Sequence, residues 1–355
     1  MTIADLDTPA MLVDLDIFEN NLKRVADYAA LHKLRLRPHT KTHKSPEVAK
    51  LQLALGASGL TVAKVGEAEV MVAALPPVDL LVAFPIFGEA KVKRLREVAR
   101  RSAVTVALDS LEAARQLEGM GVAVLVEVDV GLGRVGVTPA EALDLAREIG
   151  RIPGLRFRGI TFYPGHIKTA DEPAIRKLSD DVSRMVTQFR QAGMPPELVS
   201  GGSTPALFHS HEVEGLNEIR PGTYVYNDLN TVASGACTLD ECAASVLVTV
   251  VSTPRAHTAI IDGGSKTFSS DRLNGSAGVT FGRLIEAPGT SFHKMNEEHG
   301  FLDIANSERE LRLGERVRVI PNHVCVAMNL HETVYGVRGE TVERVWKVEA
   351  RGRLQ

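Results

Sequence analysis

Short β-rich runs alternate with helical patterns along much of the chain, and this alternation constrains the fold more than any other feature of the sequence. Eight runs are predicted as strands, at 34–37, 59–63, 79–84, 103–108, 122–130, 156–162, 197–200 and 216–219. Several are continuously apolar, as expected of parallel strands that are buried on both faces. Helical signals lie between them; one is Ser45, an N-cap residue followed by a proline at the first helical position.

The number and order of these strands predict a (β/α)8 barrel of the TIM type. The alternative is a doubly wound open sheet, which the spacing of Gly131, Gly133 and Gly136 favours. A dinucleotide site would also require an acidic residue at the end of the next strand, and the run 156–162 ends without one. We therefore predict an α/β barrel.

The pattern of predicted elements changes after about residue 235, where strands follow one another with few helices between them. These runs are 243–252, 258–261, 316–320, 333–337 and 342–348. They predict a second, mainly β domain. The expected boundaries are a barrel over 10–235 and a β domain over 236–355 together with 1–9.

Composition argues against several classes of partner. A net charge of −3 and a pI near 6.4 give the chain no global attraction to nucleic acid or to an anionic membrane, and no apolar run approaches the roughly 20 residues of a membrane span. The three cysteines are too few and odd in number for a disulfide scaffold. The first residues lack the pattern of a signal peptide. These features predict a cytoplasmic protein.

A basic cluster follows the first predicted strand, over residues 37–44. Functional residues of TIM-type barrels lie at the C-terminal ends of the strands. A lysine in a barrel mouth is partly desolvated and close to other cations, and both effects lower its pKa and favour Schiff-base chemistry. Lys41 and Lys44 are equal candidates on this argument. The alternative for the cluster is a solvated basic loop.

A glycine-rich turn follows the seventh strand and precedes a predicted helix; its residues are Gly201, Gly202, Ser203 and Thr204. Backbone N–H groups of such a turn and a helix N-terminus form an anion site. Barrels of this type commonly bind phosphate with the loops after strands seven and eight. Arg220 and Tyr226 follow the eighth strand, which makes Tyr226 a candidate donor to a phosphate oxygen and Arg220 a candidate to face a cofactor ring. The alternative for this segment is a plain Pro-Gly turn.

Three further polar residues follow predicted strands: Arg134, Tyr163 and His166. Arg134 is a candidate to reach an anionic oxygen, and the two rings are suited to stacking on a cofactor or hydrogen bonding to it. A surface arginine and satisfied barrel-mouth rings are the alternatives. A lysine after strand one and a phosphate cradle after strands seven and eight together predict pyridoxal 5′-phosphate, an electron sink for carbanion chemistry.

A candidate metal site lies in the predicted β domain. In an extended segment, His323 and Cys325 point to the same face, which suits two metal ligands. The thiolate favours zinc over manganese or magnesium. The alternative is a buried cysteine beside a capping histidine.

Taken together, these residues resemble the D-threonine aldolase and D-serine dehydratase family of fold-type III pyridoxal-phosphate enzymes, whose barrel is similar to that of alanine racemase. The motifs that carry the resemblance are Arg37-Pro38-His39-x-Lys41-x-His43-Lys44, Glu127-Val-Asp129-Val-Gly131, Gly201-Gly202-Ser203-Thr204, Glu298-His299-Gly300 and the Pro-x-His-x-Cys segment at 321–325. The resemblance implies that Lys41 rather than Lys44 carries the cofactor. It also implies that Tyr163, Gly201, Gly202, Ser203 and Tyr226 line the cofactor site, that His323 and Cys325 bind the metal, and that the protein is a homodimer.

The resemblance implies a metal-dependent lyase whose partner is a small amino-acid substrate, a β-hydroxy-D-amino acid cleaved to glycine and an aldehyde. The alternative is a dehydratase of D-serine or 3-hydroxy-D-aspartate, because dehydratase-type members carry cysteine where Cys325 stands and aldolase-type members carry aspartate. The surrounding residues 329–332 and 350–352 are similar to the aldolase branch, and Arg220 stands where alanine racemase places an arginine against the pyridine nitrogen. The remaining alternatives are an amino-acid racemase that needs no metal, a non-catalytic cofactor carrier, and an unrelated barrel enzyme that binds a phosphorylated substrate.

Overall fold

A computed structural model of the chain describes residues 1–169, 171–275 and 278–355. The strands, in chain order, are β1 (Ala10–Asp14), β2 (Arg35–Leu36), β3 (Leu60–Val62), β4 (Leu80–Val82), β5 (Val104–Leu108), β6 (Val122–Glu127), β7 (Leu155–Thr161), β8 (Leu198–Gly201), β9 (Glu218–Ile219), β10 (Ala244–Arg255), β11 (Thr258–Ile261), β12 (Leu273–Gly275), β13 (Gly278–Thr280), β14 (Gly282–Leu284), β15 (Ser291–Met295), β16 (Gly300–Asp303), β17 (Arg316–Pro321), β18 (Thr333–Arg338) and β19 (Thr341–Lys347). The α-helices are α1 (Leu15–Leu31), α2 (Pro46–Ala54), α3 (Val65–Ala74), α4 (Glu89–Ala99), α5 (Leu111–Arg115), α6 (Ala142–Ile149), α7 (Glu172–Gln191), α8 (Leu229–Ala233), α9 (Ser265–Phe268) and α10 (Val324–Leu330). Short 3-10 helices span Ile3–Asp5, Leu207–Glu212, Thr223–Val225 and Leu239–Glu241.

The chain divides into two compact units, which are discontinuous in sequence. One contains residues 1–22 and 223–351, and the other contains residues 23–222 and 352–355. The expected boundaries at 9/10 and 235/236 therefore differ from the observed ones. The reason is β1, which pairs with β10 and β18 and so joins the β unit instead of the barrel.

The unit that contains residues 23–222 is built on a parallel sheet with the strand order β2-β9-β8-β7-β6-β5-β4-β3. A parallel bridge between His39 and Thr61 joins the two end strands of this sheet, so that it closes on itself. All eight predicted strands are present in the described chain. The TIM-type barrel prediction is confirmed, and with it the expectation that strand C-termini meet on one rim.

Charged side chains fill part of the barrel interior. Arg37 is fully buried; its Nε donates to Glu218 Oε2 at 2.9 Å and its Nη2 to Asp79 Oδ2 at 2.9 Å. Arg158 Nη1 donates to the same Asp79 carboxylate at 2.9 Å and to Thr105 Oγ1 at 2.9 Å. The first residue of the predicted basic cluster is thus a structural residue of the barrel core, and it does not extend into the barrel mouth.

Local sequence signals explain how the helices of the barrel begin. Ser45 has extended backbone and its hydroxyl accepts from Glu47 N, with Pro46 opening α2 as predicted. Asp171 caps α7 in the same way through Ala174 N. α7 then places its apolar side chains on its buried face, among them Ile175, Val182 and Phe189.

The unit that contains residues 223–351 is a mainly β structure, as predicted. Its main sheet has the order β15-β16-β11-β10-β1-β18-β19, and β17 pairs with β10 and β14. The predicted runs correspond to β10, β11, β17, β18 and β19. Among the described helices of the whole chain, none combines the length and the apolar character that crossing a membrane requires.

Candidate active site

The two candidate lysines after β2 have different surroundings. Lys44 is buried, and its Nζ lies 2.9 Å from Glu67 Oε1, a carboxylate that is itself buried in α3. The second oxygen of Glu67 accepts from the backbone N–H of Ala63 at 2.7 Å. Lys41 is exposed, which corrects the expectation of partial desolvation, and its Nζ lies 5.9 Å from the centre of the Tyr163 ring. Lys44 therefore forms a buried ion pair with Glu67, whereas Lys41 lies beside the face of the Tyr163 ring.

His39 lies next to Lys41 and is buried. Its Nδ1 accepts from the backbone N–H of Lys41 at 3.4 Å. Burial, then the charges of Lys41 and Arg220, hold the pKa of His39 well below its ordinary value. The imidazole is therefore neutral at physiological pH and serves this loop as a hydrogen-bonding group without adding charge.

The Tyr163 ring, two residues after β7, lies against two cations. The guanidinium carbon of Arg134 lies 5.0 Å from its centre, in addition to the Lys41 ammonium. The ring packs closely over Gly165, where an added Cβ would stand 2.3 Å from the Tyr163 Cε1. Lys41, Arg134 and Tyr163 thus come together as the sequence predicted.

His166 is exposed and lies against the glycine turn after β6, where a Cβ on Gly131 would meet its ring at 3.3 Å. Asp129 organises this turn, because its Oδ1 accepts from the backbone N–H groups of Gly131, Leu132 and Gly133. These hydrogen bonds hold the pKa of Asp129 below its ordinary value. The glycines therefore form an aspartate-centred turn in a barrel, and the open-sheet alternative that they favoured is wrong.

Glu127 and Arg220 form an electrostatic pair that sequence reasoning missed. Glu127 ends β6, and burial raises its pKa to about 7, with the charges of Arg220 and Arg134 opposing that rise. Arg220 is buried; its Nη2 donates to the Phe162 carbonyl at 2.9 Å, and its Nε has no hydrogen-bond partner among the described residues. The sequence does contain a signal for Glu127, because it is an acidic residue at the end of an otherwise apolar strand.

The glycine-rich turn after β8 is fixed from both sides. A Cβ on Gly201 would stand 2.4 Å from the Phe162 ring, and its carbonyl accepts from Arg220 N at 3.2 Å. Gly202 has φ of +93°, the left-handed region that favours glycine. The Ser203 hydroxyl is buried and finds no partner in the described chain.

The helix predicted after this turn is a 3-10 helix of six residues, Leu207–Glu212. The Thr204 carbonyl accepts from Leu207 N at 3.2 Å, which starts the tighter i→i+3 pattern. What remains for an anion is the turn itself. An orphaned buried hydroxyl, a glycine-rich backbone turn and a neighbouring buried arginine fit the phosphate of pyridoxal phosphate.

Tyr226 belongs to the β unit. Its ring stacks on Phe18 with 5.8 Å between centres, and burial raises the pKa of its hydroxyl. That hydroxyl is buried beside the Trp346 indole, which can only donate, so the phenol proton has no acceptor among the described residues. A buried phenol of this kind is available to donate to an acceptor oxygen.

His323 and Cys325 do not lie in one extended segment, which corrects the sequence argument. β17 ends at Pro321, His323 is the extended N-cap of α10, and Cys325 is the second residue of that helix. The side chains still meet: their hydrogen bond is the main reason that the pKa of His323 rises to about 9. The N-cap geometry thus brings them together by a different route from that predicted.

Two aspartates support this pair. Asp271 Oδ2 lies 3.7 Å from His323 Nδ1. Asp228 accepts from Val324 N at 2.9 Å through one oxygen and caps α8 through Thr231 N at 2.8 Å with the other. Asp228 therefore holds the first turn of α10, which carries Cys325, and neither aspartate was singled out from the sequence.

Imidazole and thiolate are donors that fit a zinc-like cation. In the part of the chain that the structure describes, no group of three or more histidine, cysteine, aspartate or glutamate side chains is arranged to hold a metal. The pair would therefore supply two ligands, one fewer than the three protein ligands of most catalytic zinc sites.

Two family models match this chain, one over each of its two parts. Residues 13–230 match the family model of the alanine racemase N-terminal domain, and residues 243–337 match the model of a putative serine dehydratase domain. The 3-hydroxy-D-aspartate aldolase of Paracoccus denitrificans is 33% identical over 99% of this chain and 94% of its own length. The chain belongs to the D-threonine aldolase and D-serine dehydratase family. It is accordingly a pyridoxal-phosphate-dependent lyase.

Solved structures of this family superpose closely. The D-threonine aldolase of Filomicrobium marinum has a TM-score of 0.92 at 32% identity, covering 100% of this chain and 98% of that one. The D-threo-3-hydroxyaspartate dehydratase of Delftia sp. HT23 has a TM-score of 0.88 at 30% identity, covering 98% of each chain. A dehydratase of the same name with a cysteine changed to alanine, in the metal-free form, has a TM-score of 0.89.

Proposed function

We propose that this lyase cleaves β-hydroxy-D-amino acids to glycine and an aldehyde, with pyridoxal phosphate held by Lys41 and a divalent cation held by His323 and Cys325. The observation that carries the proposal is the different environment of the two lysines. Lys44 is neutralised by Glu67 in a buried pair, and Lys41 presents its ammonium beside Tyr163. A covalent cofactor requires an accessible amine, and Lys41 meets that requirement.

Each of the other candidate cofactor residues has a proposed part in holding the cofactor. Ser203 and the backbone of 201–204 would bind the phosphate, Tyr163 and His166 would contact the ring, and Arg134 would reach an anionic oxygen. Arg220 would face the pyridine ring, which its orphaned Nε supports. Tyr226, from the β unit, would donate its hydroxyl to a phosphate oxygen. When bound, pyridoxal phosphate supplies an electron sink for negative charge that develops at the substrate Cα.

The cation is proposed to be zinc, with manganese or magnesium as alternatives, because a thiolate is a soft ligand. His323 and Cys325 would hold it, and Asp271 would orient His323 from 3.7 Å. A related dehydratase structure is distinguished as a metal-free form, which supports metal binding in this family. A bound divalent cation supplies Lewis acidity toward the β-hydroxyl group.

The protein's own residues control the protons. Lys41 Nζ is the proposed group that accepts or returns a proton at Cα. His39 stays neutral beside it because of burial and adjacent positive charge, so it does not compete as an acid near neutral pH. Glu127, with a pKa of about 7, offsets part of the charge of Arg220 when it is ionised, and Glu218 offsets another part.

The dehydratase of the same family is the second candidate, and Cys325 favours it, because cysteine at this position resembles the dehydratase branch. The two reactions differ in the bond that breaks. Removal of the hydroxyl proton breaks Cα–Cβ, whereas removal of the Cα proton by Lys41 expels the hydroxyl group. The 3-hydroxy-D-aspartate aldolase of Paracoccus denitrificans matches 99% of the chain, whereas the dehydratase of Delftia matches 91%. This difference favours the aldolase reaction.

We further propose a cytoplasmic homodimer whose partner is the small amino-acid substrate. The family resemblance supports the dimer, and the odd, low number of cysteines supports a reducing compartment. Light scattering of the purified holoenzyme measures its oligomeric state. The mass of a single chain, 38.4 kDa, would contradict the dimer.

The test of function separates the two products. Purified enzyme with pyridoxal phosphate and zinc or manganese is given D-threonine, and glycine with acetaldehyde is assayed beside 2-oxobutanoate with ammonia. Glycine as the dominant product supports the aldolase, and 2-oxobutanoate supports the dehydratase. Neither product from any β-hydroxy-D-amino acid would contradict the lyase proposal.

Metal dependence is tested with a matched pair of cysteine variants. Chelator treatment and Cys325→Ala are each expected to abolish turnover, whereas Cys237→Ala, which removes a thiol away from the proposed ligands, is expected to retain it. Full activity of Cys325→Ala would remove the metal role from this residue.

A further inference from the structure

The β unit contains a pair of cysteines outside the candidate active site. Cys237 lies after α8 and is partly exposed, and Cys242 lies just before β10 and is buried. Both contribute to one apolar cluster with Leu229 and Ile320. Neither belongs to the groups that the proposed lyase chemistry uses.

The two thiols lie in the same apolar cluster, at the two ends of one short turn. The Cys242 thiol donates to the Thr238 carbonyl at 4.0 Å, and its interaction with the Cys237 side chain is the main reason that the pKa of Cys242 is raised, ahead of its burial. The backbone between them makes a tight turn, with a 3-10 helix at Leu239–Glu241 and a hydrogen bond from Cys242 N to the Leu239 carbonyl. Asn21 and Asn227 also fix this turn, because both donate to the Glu241 carbonyl. A fixed backbone thus holds both thiols in one turn.

We propose that Cys237 and Cys242 form a reversible modification site, a vicinal dithiol that closes to an intramolecular disulfide when a low-molecular-weight disulfide oxidises it. The loop that closes contains only six residues. A disulfide that closes such a short loop stabilises the folded chain less than one that closes a long loop.

The reaction has a defined order. The Cys237 thiolate attacks one sulfur of oxidised glutathione, forming a mixed disulfide and releasing one glutathione thiolate. Cys242 then loses its proton to water and attacks the Cys237 sulfur, which forms the protein disulfide and releases the second glutathione. Two protein thiols lose two electrons in total, and one oxidised glutathione gains them.

Cys237 is the thiol that reacts first, for two reasons. It is the more exposed of the two, and Cys242 is only 7% exposed. The pKa of Cys242 is raised by its hydrogen bond to Cys237, then by burial and by the charges of Asp228 and Glu241. Thiol–disulfide exchange requires a thiolate, so Cys242 acts only as the second, intramolecular thiol.

The sequence makes the products easy to distinguish by mass spectrometry. No Lys or Arg lies between Arg220 and Arg255, so both cysteines share one tryptic peptide, and Cys325 lies in another. Reduced holoenzyme, Cys242→Ser and Cys237→Ser are incubated with oxidised glutathione, quenched with acid, alkylated and digested without reduction.

The wild-type peptide is expected to lose two hydrogens, to resist alkylation and to carry no glutathione. Cys242→Ser is expected to retain one glutathione on Cys237, and Cys237→Ser is expected to remain unmodified in the same time. Dithiothreitol should restore both free thiols in the wild type. Circular dichroism of each variant confirms that the serine replacements are folded.

Three results would overturn the proposal. One is a wild-type peptide that carries glutathione without an internal disulfide. Another is equal reactivity of the two single variants. The third is a wild-type peptide in which both thiols stay fully alkylatable while Cys325 is modified in the same sample.

Discussion

Replacing Glu67 with glutamine removes the charge that neutralises Lys44 and leaves that ammonium buried. The Lys44 Nζ to Glu67 Oε1 distance is 2.9 Å, and the two side chains are 6% and 2% exposed. Removing one partner of such a pair destabilises a protein by about 3–5 kcal/mol, because the remaining charge is uncompensated. We therefore expect the free energy of unfolding of Glu67→Gln to fall by about that amount.

A matched control lies two residues away on the same helix. Glu69 pairs with Arg94 at 2.6 Å, but these side chains are 34% and 33% exposed. Partly exposed pairs contribute only about 0–1 kcal/mol, so Glu69→Gln should destabilise the protein much less than Glu67→Gln. Both substitutions replace a glutamate of α3 with glutamine. The difference between their effects on the free energy of unfolding therefore measures how much burial strengthens the ion pair.

The assay is thermal unfolding followed by far-ultraviolet circular dichroism, at fixed cofactor and protein concentration. For a unit of this size, 1 kcal/mol corresponds to roughly 2–4 °C in Tm. Glu67→Gln should therefore lower Tm by roughly 10 °C and Glu69→Gln by a few degrees at most. Equal, small shifts for the two variants would refute the assignment of Lys44 to a stabilising buried pair, and with it the argument that sets Lys41 apart.

Three further predictions concern the barrel mouth. Glu127 has a folded pKa of about 7, above its ordinary 4.5, so its contribution to the stability of the cofactor-free protein is present at low pH and is lost as pH rises through about 7. The free energy of unfolding should change by about 3 kcal/mol in total. Chemical denaturation from pH 4 to 8 should show this dependence in the wild type and a flatter dependence in Glu127→Gln. Superimposable stability profiles of the two proteins would contradict the prediction. Ser203→Ala should weaken cofactor binding roughly tenfold or more, because one hydrogen bond to a charged group is lost; an unchanged Kd in an absorbance titration would count against the phosphate role of this turn. Arg220→Lys should shift the visible absorption spectrum of the bound cofactor without unfolding the barrel, and an unaltered spectrum would argue that Arg220 does not face the ring.

Much of the barrel was predictable because its strands are short, apolar and separated by helical patterns. β5 and β6, for example, are almost continuously buried along their length. β1 was not predicted, since it runs directly into α1 and its partner strands β10 and β18 lie more than 200 residues away in sequence. Local pattern carries no information about such distant pairing, and the expected N-terminal boundary differs from that of the compact units for the same reason.

The candidate site shows the same division between local and distant information. Residue type and position after a strand were enough to collect Lys41, Tyr163 and Arg134 on one rim. The distinction between Lys41 and Lys44 depends on Glu67, which comes from a different helix, so no local pattern contains it. His323 and Cys325 were predicted to meet through a strand, but they meet through a helix N-cap that Asp228, almost 100 residues earlier, holds in place.

The central claim is that Lys41 carries pyridoxal phosphate, and chemical trapping tests it most directly. The holoenzyme is reduced with borohydride, digested, and mapped by mass spectrometry for a phosphopyridoxyl lysine. The account predicts one modified residue, Lys41, and loss of the visible absorption band of the holoenzyme in Lys41→Ala. Modification of Lys44 instead, or of no lysine in the 37–44 loop, would contradict it.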